Sequence, residues 1–166
     1  MERLWAPWRM TYIGNIADND KNCFLCAAAA GDPDDHFVLW KNDLTFCVLN
    51  RFPYNNGHLL ISPVRHEGCV EALSAEEQAA LMRDSIRAQK LLAGVVGAQG
   101  FNWGLNVGRC SGAGLVDHLH MHVVPRWEGD TNFMPVFADV KVIPQALEDL
   151  HGKLVAALKD RQEDRT

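Results

Sequence analysis

The sequence predicts an α+β fold, an antiparallel sheet with helices packed on it, and three observations carry that prediction. Short apolar segments follow one another, separated by turn residues. One long segment carries apolar residues at helical spacing behind a capping signature, and a second such segment lies near the C-terminus. Strands in one run and helices outside it are the pattern of a sheet covered by helices.

The elements come in order. The opening LWAPWRMTYI is aromatic and broken by Pro7, so residues 1–22 read as an extended arm packed on the core or on a second subunit. Ala27 to Gly31 is a run of small residues leading into the acidic turn Asp32-Pro33-Asp34-Asp35. Phe37–Trp40, Thr45–Leu49 and, after the turn-forming PYNNG, His58–Val64 read as consecutive antiparallel strands. Ser74 with Glu77 three positions later predicts a helix start. Behind it, Leu81, Ala88, Leu92 and Val95 recur at helical spacing, as do Met82, Ile86, Ala93 and Val96, which predicts a broad apolar face. Trp103–Val107 and His118–Val124 read as two further strands joined by the glycine-rich GRCSGAG. Leu147, Leu150, Leu154 and Leu158 predict a C-terminal helix over VIPQALEDLHGKLVAALKD, with Pro144 near its first turn. Residues 160–166 read as a frayed charged tail.

At 166 residues the chain fits one domain, 1–166. A net charge of -5 argues against a nucleic-acid polymer as partner, because neutralising many phosphates needs clustered Lys and Arg. A small anionic ligand in one pocket is still allowed. No run of about 18 apolar residues and no signal-like opening occur, so the expectation is a soluble cytoplasmic protein without membrane contact. Five cysteines, only Cys23 and Cys26 of them close in sequence, do not form a disulfide framework.

Chemistry concentrates in DHLHMHVVPRW, where His118, His120 and His122 alternate with Leu119, Met121 and Val123. On a strand the three imidazoles would share one face, with alternate residues about 6.8 Å apart, close enough to line a single phosphate-sized ligand. Three readings stand: a solvated polar face, a catalytic metal held by all three, and a neutral imidazole that attacks phosphorus while its neighbours hold the oxygens. Cys23-Phe24-Leu25-Cys26 is half of a tetrahedral thiolate site, with a redox pair and two ordinary buried thiols as rivals. The histidines available to complete it are His36, His58, His66, His118 and His151. Surface positions are expected for His36 and His151, and incidental thiols for Cys47, Cys69 and Cys110.

HLHMHVVP resembles the His-x-His-x-His-x-x signature of the histidine triad (HIT) superfamily of nucleotide hydrolases and transferases. FCVLNRFPYNNGHLLISPVRH and WGLNVG are similar to that family's strand, Asn and Gly-His segments, and WAPWRMTYI and RWEGDTNFMPV resemble a bacterial branch that includes diadenosine tetraphosphate (Ap4A) phosphorylases. The resemblance implies a HIT-like fold and cleavage at an α-phosphorus. His120 would be the nucleophile, with His122 on the phosphate and His58 beside it. Asn50 would bind ribose hydroxyls and Asn106 the phosphate side. It also implies one structural Zn2+ per chain on Cys23, Cys26, His66 and His118, a nucleotide substrate and a homodimer. One departure stands out: Gly114 and Leu115 occupy positions where many members carry Gln and Ser or Thr, so Ser111, Arg109 and the amides of Gly112 to Gly114 would have to take over phosphate contacts. The implied activity is an Ap4A phosphorylase. The alternatives are a hydrolase of dinucleoside polyphosphates or adenosine phosphoramidates, and a zinc-stabilised nucleotide-binding module with little turnover.

Overall fold

In a computed structural model of the chain, residues 23–131 and 142–163 are described. The aromatic arm with Trp5 and Trp8, the end of RWEGDTNFMPV from Asn132 onward, and the last three residues lie outside them. Among the described residues the elements run α1 (Phe24–Ala30), β1 (Val38–Lys41), β2 (Thr45–Leu49), β3 (Leu59–Pro63), α2 (Ala75–Val95), β4 (Gly100–Leu105), β5 (Met121–Arg126) and α3 (Leu147–Glu163). The strands form one antiparallel sheet in the order β1-β2-β3-β5-β4. Only the insertion of β5 between β3 and β4 departs from sequence order, and it puts the strand that carries His122 one position in from the sheet edge. No helix among the described residues is long and apolar enough to cross a membrane.

The α2 start is the capping box that the sequence predicts: Ser74 Oγ accepts from Glu77 N–H at 3.2 Å and Glu77 Oε2 accepts from Ser74 N–H at 2.8 Å. Arg65 holds both oxygens of the same Glu77, at 3.0 and 3.1 Å, tying the loop after β3 to this helix end. Those bonds from Arg65 and Ser74 lower the Glu77 carboxyl to about 2.

The broad apolar face of α2 narrows in the structure. Leu81, Ala88, Leu91 and Leu92 enter the core with Leu59, Ile61, Leu119 and Val123, whereas Met82, Ile86 and Ala93 are exposed. A polar pair decides which stripe turns inward. Asp84 Oδ2 accepts from Asn42 Nδ2 at 3.0 Å and from the buried Thr45 hydroxyl, and those bonds lock one helix face against the β1–β2 turn. Counting apolar residues alone misses that constraint.

Other boundaries shift for local reasons. The C-terminal helix starts at Leu147, so Pro144 precedes it, and it runs on to Glu163 through the segment expected to fray. His151, expected at the surface, is buried: its Nε2 donates to Val38 O at 3.2 Å and its ring meets Phe37 edge-on at 5.5 Å. Cys47 is buried, and Cys69 and Cys110 are exposed.

Candidate functional site

The largest difference from the sequence reading lies in the triad itself. β5 begins at Met121, so His118 and His120 precede the strand and only His122 is in it. β3 pairs with β5 over Leu59 to Ile61 alone. Beyond that, Pro63 has no N–H to continue a ladder, and other groups take over. Ser62 Oγ donates to Leu119 O at 2.8 Å, Leu119 N–H donates to Glu67 O at 2.7 Å, and His118 Nε2 donates to Pro63 O at 2.9 Å. The segment leaves the pleat yet stays pinned, and its histidines are free to point at different targets.

His118 points at the cysteines. Its proton sits on Nε2, given to Pro63 O, so its Nδ1 lone pair faces Cys23 Sγ at 3.2 Å and Cys26 Sγ at 3.5 Å. His66 Nδ1 lies 3.2 Å from Cys26 Sγ, and the four ligand atoms fall within 4.8 Å of one another. Bonds of about 2.3 Å to sulfur and about 2.0 Å to nitrogen would put sulfur–nitrogen edges of a tetrahedron at roughly 3.5 Å. The donor set, spacing and His118 tautomer therefore fit one metal ion. Burial and the neighbouring Cys23 push the Cys26 thiol up to about 11, a cost to ionisation that a bound cation would offset.

Two local devices bring these ligands together. Cys23 caps α1, accepting from Cys26 N–H at 3.4 Å, which places both sulfurs at one helix end. Gly68 lets the His66 loop close on the triad segment, since a Cβ there would stand 2.5 Å from Val116 O.

His120 is built the other way round. Its Nδ1 donates to His118 O at 2.9 Å, which leaves the Nε2 lone pair available. Burial lowers its basicity, so the ring stays neutral at pH 7, as a nucleophile requires.

The tautomers of His58 and His122 follow from the donors around them. Asn50 Oδ1 accepts from Phe52 N–H at 3.0 Å, so Asn50 Nδ2 faces His58 Nδ1 at 3.1 Å, and Tyr54 N–H donates to the same nitrogen at 3.0 Å. His58 Nδ1 is therefore an acceptor and Nε2 carries the proton. That proton goes to His122 Nδ1 at 2.9 Å, so His122 carries its own proton on Nε2. Burial first, and then the nearby His120, hold His122 down to about 4, so it donates as a neutral group. Asn106 Nδ2 stands 3.4 Å from His122 Nε2. With both nitrogens as donors, an anionic oxygen would bridge them.

The histidine rings are close: His120 and His122 centroids lie 5.0 Å apart, His58 and His122 5.1 Å. Gly57 before His58 has φ of +81°, and a Cβ there would meet Leu92 Cδ2 at 3.0 Å, so the turn into β3 needs glycine against α2.

Not every expected residue is placed as the sequence suggests. Ser111 Oγ donates to Gly108 O at 2.7 Å and Gly112 N–H donates to Arg109 O at 3.1 Å, so both use their donors inside the turn. Leu115 packs against the small core cluster that contains Leu25 and Phe46. Asn50 braces His58, which leaves it one N–H and one lone pair for a ligand. Ser62, Gly68 and Tyr54 escape the sequence reading, although Tyr54 sits in the PYNNG turn only four residues before His58.

Comparison with known proteins fits this geometry. The sequence profile of the HIT domain matches residues 33–129. The chain belongs to the HIT domain family. An AP-4-A phosphorylase of Mycobacterium tuberculosis H37Rv is 38% identical to this HIT protein over 159 residues, 90% of this chain and 80% of that one. An adenosine 5'-monophosphoramidase, hnt1 of Schizosaccharomyces pombe, is 24% identical over 138 residues, 83% of this chain and 99% of that one. Among solved structures, a Zn-bound histidine triad family protein from Mycobacterium smegmatis shares the fold with a TM-score of 0.70 and 24% identity, covering 86% of this chain and 97% of that one.

Proposed function

We propose that this HIT protein is a nucleotidyl transferase that cleaves dinucleoside polyphosphates such as Ap4A at the α-phosphorus, with inorganic phosphate as acceptor. The observation that carries the reading is the tautomer of His120, whose Nδ1–H is held by the His118 carbonyl while Nε2 keeps its lone pair beside the His122 donor. His120 Nε2 forms a bond to the α-phosphorus as the bond to the polyphosphate leaving group breaks, giving a nucleotidyl-histidine. His122 Nε2–H and Asn106 Nδ2 bind the phosphate oxygens, and His58 keeps His122 in its donor form. A phosphate oxygen then attacks the same phosphorus, releasing His120, and Ap4A yields ADP and ATP. The 38% identical AP-4-A phosphorylase supports phosphate over water as acceptor.

Asn50 keeps enough capacity for a ribose hydroxyl. Gly114 offers the loop amide for phosphate in place of Ser111 and Gly112. Cys23, Cys26, His66 and His118 hold one structural Zn2+, which anchors α1 and the His66 loop to the triad segment and leaves His120 and His122 for chemistry. The exposed Met82 and Ile86 on α2 support a homodimer.

The test is ion-exchange analysis of products from Ap4A, with and without phosphate, beside His120→Ala. ADP and ATP formed only with phosphate is the expected result. AMP and ATP without phosphate would make it a hydrolase. No product, with nucleotide affinity retained in His120→Ala, would make it a binding module.

A further inference from the structure

Among the described residues, the Tyr54 ring packs against both rings of the His58–His122 pair. Its ring lies nearly parallel to His122, 13° between planes and 5.6 Å between centroids, and 4.7 Å from the His58 ring. His58 is fully buried and His122 nearly so, whereas Tyr54 is 37% exposed, so the tyrosine is the outer wall of the stack. Its backbone N–H reaches His58 Nδ1 as well, so one residue acts on the pair through both its main chain and its ring.

The loop that carries it is fixed on both sides. Asn55 Nδ2 donates to Asp130 Oδ2 at 2.8 Å and to Pro125 O at 3.1 Å, which ties the residue after Tyr54 to the end of β5. Asp130 in turn takes a two-bond grip from Arg126, at 2.6 and 2.8 Å, and is bonded by Trp127 N–H at 3.2 Å. The strand that carries His122 thus anchors the turn that covers it.

We propose that Tyr54 is a positioning residue for nucleotidyl transfer: its amide and ring together hold His58 and His122 in the tautomer and orientation that aim His122 Nε2–H at the phosphate. This rests on the nucleotidyl-transfer reading above. The amide selects the His58 tautomer and, through the 2.9 Å bond, that of His122. The ring keeps water from competing for those nitrogens and prevents the His122 ring from turning over. A turned ring would present a lone pair where an oxyanion needs a proton. The hydroxyl has no part in this, so Tyr54→Phe should preserve it and Tyr54→Ala should not.

Two readouts in the full-length, zinc-loaded protein test it. Without substrate, the His58 Nε2–H proton should give a resolved 1H–15N signal in wild type and Tyr54→Phe, and exchange-broaden in Tyr54→Ala. With Ap4A and phosphate, Tyr54→Ala should lose kcat by about 10- to 100-fold with KM within about threefold, because the aimed donor acts mainly in the transition state, while Tyr54→Phe stays near wild type. A Tyr54→Ala protein that keeps both the signal and kcat overturns the proposal, even if its melting temperature falls. So does a Tyr54→Phe protein as impaired as Tyr54→Ala. The NMR readout needs no turnover, so failure of the nucleotidyl-transfer reading would appear separately, as unimpaired Ap4A cleavage by His120→Ala.

Discussion

Two clusters share the same short histidine segment and use it in opposite ways. In the cluster of Cys23, Cys26, His66 and His118, a backbone carbonyl takes the Nε2 proton of His118 and turns Nδ1 toward the thiols. Two residues on, the His118 carbonyl takes the Nδ1 proton of His120 and leaves Nε2 open. His122 differs again, because His58 donates to its Nδ1 and so makes Nε2–H the outward group. The lesson is that residue type does not decide which ring nitrogen is left open here. The hydrogen-bond partner of the second ring nitrogen does, and for His118 and His120 that partner is main chain.

The most severe way to break the contrast is to remove His120, the proposed nucleophile. His120→Ala should lose Ap4A turnover by roughly 10^4-fold while its circular dichroism melting curve and metal content stay near wild type. Near-normal turnover would sink the assignment.

The metal half should fail in the reverse order. Cys23→Ser should lose zinc, measured by mass spectrometry of the purified protein, and melt about 10 °C lower, corresponding to about 3 kcal/mol in a domain of this size. Unchanged zinc content would exclude Cys23 as a ligand. Chelation of the wild type should destabilise the fold before it alters the chemistry of the remaining folded fraction.

Much of this arrangement is legible in the sequence and some is not. The alternation of apolar and turn residues predicts five strands, with β4 and β5 displaced by about three residues from their expected starts, and Ser74 with Glu77 predicts the start of α2. The CxxC pair with His66 and His118 comes together as the family resemblance implies. What periodicity gets wrong is the histidine strand, because alternation at 118–123 looks like a pleat while Ser62, Pro63 and Glu67 pull its first half out of the ladder. Those are long-range side-chain and carbonyl bonds, and no local pattern encodes them. The same holds for Asp84 and Thr45, which choose the buried stripe of α2, and for His151, buried by a carbonyl 113 residues away.

Ser62 gives a smaller test of that correction. Ser62→Ala leaves the buried Leu119 carbonyl without its hydroxyl donor, at a cost of about 1 to 3 kcal/mol, and should lower the melting temperature by several degrees. If the melting temperature holds, Ser62 is not what pins the segment.

The smallest effect concerns pH. His122 is depressed in the folded protein from its ordinary 6.5 to about 4, so the unfolded chain takes up the proton first. The stability held by neutral His122 is complete above pH 6.5 and is lost as pH falls from there toward about 4. Burial depresses His120 in the same direction and steepens the slope. Replacing His122 with Asn should flatten the decline of melting temperature across that window, and an unchanged slope would show that His122 is not among the groups responsible.

The most direct test of the divided triad is the position of each proton in the zinc-loaded wild-type protein at pH 7, read by long-range 1H–15N correlation of ring-labelled histidines. His118 should be protonated at Nε2 with Nδ1 on the metal, His120 at Nδ1 with Nε2 bare, and His122 at Nε2. A proton found on His120 Nε2 would remove its lone pair from the phosphate side and contradict the account.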